Sequence, residues 1–266
     1  MTAFVSTRIR RGALTALCTA AVLGLSACGT TGQNSAENST AAGSAPGGKG
    51  SAKPVPYADL SGPAIAEKAG KATRAASSVT VNADTRDADG HTVFEMAISR
   101  TGDCAGTLSL NDQGKATISK VGAALYLKYD EAFLRAQGEE DADSTKEQID
   151  AVVAMLADRW IKTDPKDPDA EDFTSFCDLD ELLGDLSDDT VARKGKIGEV
   201  NGQQAIALTE ADGKDTYTLH VATEGEPYLL KLTGTGDEPF TMTFKDFGKP
   251  VPAKVPADKD IVDLDD

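Results

Sequence analysis

The 266-residue chain is short of positive charge, of aromatics and of histidine: 27 lysines and arginines stand against 43 aspartates and glutamates, aromatics make up 5 %, and there are two histidines. The charge deficit excludes nucleic acid as a partner, because a phosphate backbone is held by a basic surface. It also repels an anionic membrane surface, so contact with a bilayer requires an apolar anchor and not a basic patch. The acidity itself serves solubility. No apolar run approaches the ~20 residues of a spanning helix. Nucleophile elbow, phosphate loop, dinucleotide fingerprint and paired metal-binding histidines are all missing, so the chain is expected to be no enzyme and to need no cofactor or metal.

What is present begins at the amino terminus. Arg8, Arg10 and Arg11 precede an apolar run from Ala13 to Leu25, which ends in Leu25-Ser26-Ala27-Cys28. A basic start, a short apolar stretch and small residues before a cleavage point make a signal peptide rather than a membrane span. Leu-Ser-Ala-Cys resembles the lipobox of bacterial lipoproteins, which implies cleavage after residue 27 and a diacylglyceryl thioether on Cys28. Two acyl chains at about 0.8 kcal/mol per buried CH₂ anchor stably where one chain holds only marginally. The expected location is the outer face of the cell membrane. Loss of the three signal arginines takes the formal charge from −16 to −19.

Residues 28–56 are mostly Gly, Ser, Thr, Ala, Asn and Gln with no apolar period, which reads as a flexible tether. Its mean reach is on the order of 30 Å. Residues 57–266 are then one domain. Cys18 leaves with the signal and Cys28 carries lipid, so Cys104 and Cys177 remain; in an oxidising compartment they should pair. A metal or redox pair is the alternative, against which the absence of CxxC spacing speaks.

The domain pattern is helix, strands, helices, strands. Pro63 to Ala76 predicts a helix capped by Ser61. From Ser78 the period becomes two: Val79, Val81 and Ala83, the turn Asp87-Ala88-Asp89-Gly90, then Phe94, Met96 and Ile98 form a hairpin. Leu108 and Leu110, Ala116 and Ile118, and Leu125, Leu127 and Tyr129 extend it as a meander. Ile149, Val152, Val153 and Leu156 share a helical face; a second helix is expected over Phe173 to Leu186, with Trp160-Ile161-Lys162 a short strand between them. Pro165 and Pro168 predict a loop over Asp164 to Asp172. Period two returns at Ile206 and Leu208, at Tyr217, Leu219 and Val221, at Tyr228, Leu230 and Leu232, and at Met242 and Phe244. One greasy face and one wet face mark an antiparallel sheet covered on one side.

Three polar features offer little chemistry. His91 follows a turn glycine and His220 lies on the polar side of its strand, so both read as solvated surface groups. The Asp87–Gly90 turn fits a hairpin better than a calcium loop, since Thr85 and Met96 would stand at ligand positions. The acidic run Glu139 to Asp143 reads as a solvated loop tip.

The remaining constellation is the apolar face: Phe94, Met96, Ile98, Leu108, Leu110, Ile118, Leu125, Leu127, Leu219, Val221, Leu230, Leu232, Met242 and Phe244. Taken singly, each is ordinary core. Taken together, about nine or ten strands against about three helices leave part of a curved sheet for an apolar lipid ligand, provided a cavity exists.

Several segments, in order, resemble the LppX and LprG group of actinobacterial lipoproteins, whose half-barrel is shared with the LolA and LolB lipoprotein carriers. They are Ala75-Ala76-Ser77-Ser78-Val79, Val121 to Lys128, Trp160-Ile161-Lys162, Val200 to Ala205, Leu219 to Thr223, Pro227 to Leu232 and Phe244 to Gly248. Cys104 with Gly106-Thr107-Leu108, and Phe176-Cys177-Asp178-Leu179, resemble a cysteine-paired subgroup. The resemblance implies an α+β fold: a strongly curved antiparallel half-barrel with about three helices over its concave face. It implies binding or carriage of a lipid or other apolar envelope molecule, with no catalytic residues to transfer. The competing reading is an envelope interaction protein of the same fold with a filled core, acting through its surface on a protein or a cell-wall polymer.

Overall fold

The computed structural model describes residues 56–262 apart from positions 89, 167 and 184–191. The stretch expected to be a signal sequence, Cys28 and the expected tether to residue 55 lie outside the described residues, as does residue 89 of the first hairpin turn.

The chain opens with α1 (Gly62–Ala75), where the Ser61 hydroxyl accepts from the Ala64 amide at 3.3 Å, as the sequence predicts. A meander follows: β1 (Ser78–Asp87), β2 (Gly90–Ser99), β3 (Cys104–Leu110), β4 (Ala116–Val121) and β5 (Ala124–Tyr129). Gly90, at φ 138°, closes the β1–β2 turn and donates its amide to Asp87 Oδ1 at 3.0 Å. Next come α2 (Glu131–Glu140), α3 (Lys146–Leu156), β6 (Trp160–Thr163), α4 (Pro168–Ser175) and α5 (Leu179–Leu183). The second meander is β7 (Arg193–Val200), β8 (Gln203–Asp212), β9 (Asp215–Ala222), β10 (Leu229–Thr235) and β11 (Phe240–Lys245), and the chain returns to the sheet as β12 (Ile261–Val262).

All twelve strands make one open sheet in the order β12-β6-β5-β4-β3-β2-β1-β11-β10-β9-β8-β7. The two meanders join where β1 pairs with β11. Every pairing is antiparallel except β12 with β6. The fold is the expected curved α+β half-barrel, with more elements than the sequence predicts.

Register explains the two faces. Pairing lines up Val81, Met96, Gly106, Ile118, Leu127 and Ile161 in one inner row across β1 to β6. One residue along, Asn82, Glu95, Thr107, Thr117, Lys128 and Trp160 make the adjacent outer row. The inner face carries the main core, into which Ile65, Ala66 and Ala69 of α1, Phe133 of α2, Ala170 of α4, and Leu179 and Leu183 of α5 are packed. Gly106 has a steric role: a Cβ there would lie 2.0 Å from the Glu95 carbonyl oxygen and 2.8 Å from Met96 Sδ.

Four predictions are corrected. The stretch read as a loop contains α4, which begins at Pro168, where a missing N–H costs a helix nothing. The single helix expected over Phe173 to Leu186 is broken, because Asp178 Oδ1 accepts from the amides of Asp180 and Glu181 at 2.9 and 3.1 Å and starts α5 afresh; residues 184–186 lie outside the described set. The face of α3 is only partly used: Val153 is buried but Val152 and Met155 are 39 % and 46 % exposed, and α3 packs on α2 rather than on the sheet. Finally, β10 carries a bulge between Leu229 and Lys231. Leu229 and Leu232 therefore face the main core, while Leu230 joins Val200, Ala205 and Ala222 in a second cluster.

Candidate functional site

The residues proposed as a ligand face divide into three groups. Phe94, Met96, Ile98, Leu108, Leu125, Leu127, Leu219, Val221 and Phe244 are buried in the main core, together with Ile118. Leu110, Leu232 and Met242 are half-buried against it. Leu230 is turned to the other cluster by the bulge.

The depth of the first group decides what it can do. Met96, Ile98, Leu125 and Val221 expose 0 % of their surface, and Phe244 1 %. A side chain with no surface open to water touches other protein atoms on all sides, so these residues line no void wide enough for an acyl chain. Here the sheet is matched by its helices, contrary to the shortage inferred from the sequence. Phe176 caps Phe94 edge-on with ring centroids 5.1 Å apart.

The half-buried group has a different position. Leu232 and Met242 pair directly across β10 and β11, and Leu110 lies at the end of β3. Tyr129, Phe173 and Leu182 are also partly buried against the same core. Tyr129 stacks on Phe133 at 5.1 Å and tilts toward Phe173 at 6.1 Å. Together they form the half-buried apolar rim of the main core, with Leu110 and Tyr129 at the ends of β3 and β5, Leu232 and Met242 within β10 and β11, and Phe173 and Leu182 on α4 and α5.

The cysteines tie the helices to the sheet at the opposite end of β3 from Leu110. Cys104 and Cys177 form a disulfide with Cα atoms 5.4 Å apart, joining the start of β3 to the turn between α4 and α5. The helices over the rim are thus fastened covalently to the sheet. Cys28, the residue expected to be lipidated, lies outside the described residues.

Neither histidine is the solvated group the sequence predicts. His91 is held between two carboxylates, Nε2 3.0 Å from Asp84 Oδ1 and Nδ1 3.2 Å from Asp112 Oδ2, with 12 % of its side chain exposed. His220 pairs with Lys231, and its Nδ1 is buried with no hydrogen-bond partner among the described residues. Burial first, and the neighbouring Lys231 second, hold its pKa below the ordinary 6.5. As the pH falls through 6.5 the unfolded chain takes up this proton before the folded one, so stability is withdrawn from 6.5 downward to the lower folded value. Among the described residues, no three or more His, Cys, Asp or Glu side chains converge as a metal site requires.

No family model matches the chain, and no curated protein does. Solved structures do. The lipoprotein LppX of Mycobacterium tuberculosis is 14 % identical with a TM-score of 0.49, over 73 % of this chain and 98 % of that one. LprF of Mycobacterium bovis is 12 % identical with a TM-score of 0.47, over 74 % of this chain and 97 % of that one. An uncharacterised conserved protein of Thermus thermophilus follows at 9 % identity and a TM-score of 0.33, over 74 % and 96 %. The group whose motifs the sequence resembles is thus met again among the structures to which this chain is similar.

Proposed function

We propose that the chain is an outward-facing lipoprotein, anchored through Cys28, that receives an acyl chain of an envelope lipid at the half-open apolar rim of its sheet. The observation that carries this reading is the rim itself: Leu110, Tyr129, Phe173, Leu182, Leu232 and Met242 are apolar, partly exposed and continuous with the core. Surface of this kind is costly to leave in water and gains about 25 cal/mol per Å² when an apolar guest covers it. The guest binds without covalent chemistry, so no catalytic residue is needed. The tether gives the domain the reach to take the lipid from the bilayer to which the anchor holds it.

A second reading has its own observation. The complete burial of Met96, Ile98, Leu125 and Val221 favours a solid interior and a protein that acts through its surface. The two are separated by native mass spectrometry of the full chain carrying Cys28→Ser, exported from an actinobacterial host so that a covalent lipid is not mistaken for a guest. The rim reading expects a mass increment of a phospholipid or glycolipid that dissociates on activation. A spectrum of bare protein alone contradicts it. In the unsubstituted chain, a diacylglyceryl increment on the peptide beginning at Cys28 tests the anchor.

A further inference from the structure

The opposite face of the sheet carries a structure that the lipid reading does not use. After β11 the chain turns at Asp246 and Gly248, with φ 57° and 71°, and runs back across the outer face toward β6. At one end the Gly248 amide donates to the Ser78 carbonyl at 2.9 Å and the Ser78 hydroxyl donates to the Lys249 carbonyl at 2.5 Å. At the other the Ser119 hydroxyl donates to the Lys254 carbonyl at 2.7 Å and accepts from the Lys254 amide at 3.0 Å. Between these fastenings lie Pro250 and Pro252, which have no N–H to offer a ladder. The segment is a strap tied down on β1 and β4.

Small side chains, Thr80, Ala97, Ala105 and Ser119, form one register row across β1 to β4 with the Ser119 fastening at its end. Beside them a hollow of about 810 Å³ opens between strap and sheet. A second hollow of about 320 Å³ continues it and shares Glu95 and Thr107. An outward-curving sheet has no reason to be hollow; the strap makes the wall of the larger hollow. Each hollow taken singly lies in the range of small-molecule sites.

The lining points to one ligand chemistry. Glu95, Thr107 and Thr117 present a carboxylate and two hydroxyls on successive strands, and Trp160 stands at the β6 end. Lys128 Nζ lies 5.2 Å from the Trp160 ring centroid and covers one side of it. Strands are spaced about 4.8 Å apart, close to the advance of one pyranose along an extended sugar chain. A glycan laid across the strands therefore meets one hydrogen-bonding side chain per sugar and ends against an aromatic ring. The two carboxylates of the larger hollow are each paired with a lysine, Asp246 with Lys249 at 2.6 Å and Glu95 with Lys245 at 3.6 Å, so neither acid is left free to draw a cationic guest.

We propose that the groove between the strap and the outer face of β1 to β6 binds an uncharged glycan strand, with Trp160 as its stacking platform. The site is independent of the rim on the other face. Trp160 is the chain's single tryptophan, so its emission reports occupancy of the groove directly. Titration of the full chain with the tetramer of β-1,4-linked N-acetylglucosamine, and with cellotetraose, should give a saturable change in emission with at least one of them. Thr107→Arg, at an exposed position, should weaken that binding about tenfold or more without lowering the melting temperature. Should Thr107→Arg destabilise the fold, Thr117→Arg takes its place. No saturable change with either tetramer overturns the proposal. So does an undiminished change in the blocked, folded variant, or a change given by lysophospholipid and not by sugar.

Discussion

The two faces of the sheet are built from alternate residues of the same strands, yet they solve opposite problems. On the inside, Val81, Met96, Ile118 and Leu127 are sealed in the main core, while the apolar side chains of the rim stay half-buried against it. On the outside, Asn82, Glu95, Thr107, Thr117 and Lys128 stay half-exposed or exposed, and a proline-rich strap stands over part of them. Binding capacity thus follows the way each face is covered and not its hydrophobicity. Helices that interdigitate with a sheet fill it, while a strap tied at two points leaves room beside itself.

Three variants break or sharpen this contrast. The largest effect is expected from the disulfide: replacing Cys104 and Cys177 by alanine frees a loop with a sequence separation of 73 residues, which costs about 4 kcal/mol in the chain-entropy model. Denaturant unfolding should show the midpoint fall by the corresponding amount; an unchanged midpoint would mean that the helices over the rim hold without the staple. Next, Leu125→Ala should cost about 3 kcal/mol, because a fully buried leucine leaves a cavity. Thr107→Ala on the outer row should stay within about 0.5 kcal/mol. Equal losses at the two positions would erase the distinction between a packed face and an open one.

Much of the inner face was legible in the sequence because burial imposes period two, and the strands from Val79 to Tyr129 and from Ile206 to Phe244 follow that period. Its error at Leu230 came from the bulge after Leu229, which shifts the period without altering composition. The strand β7 was illegible for the opposite reason: Arg193 to Glu199 are exposed on both faces, so nothing in them alternates. The strap was missed as well, although Pro250, Pro252 and Pro256 were its signal, since alternating prolines forbid a ladder and require an extended segment lying on something else. The rim could not be read at all. Whether Met242 is sealed or half-open depends on what packs over it, and packing across a sheet is a tertiary property.

The most direct measurement is the titration of the Cys28→Ser chain with a fatty acid labelled by a polarity-sensitive fluorophore, made in parallel with Met242→Asp. An acyl chain lodged at the rim gives saturable enhancement in the unaltered rim and an affinity about tenfold weaker when a carboxylate stands at position 242. Enhancement that is absent, or indifferent to the charge at 242, would contradict lipid binding at that end of the sheet.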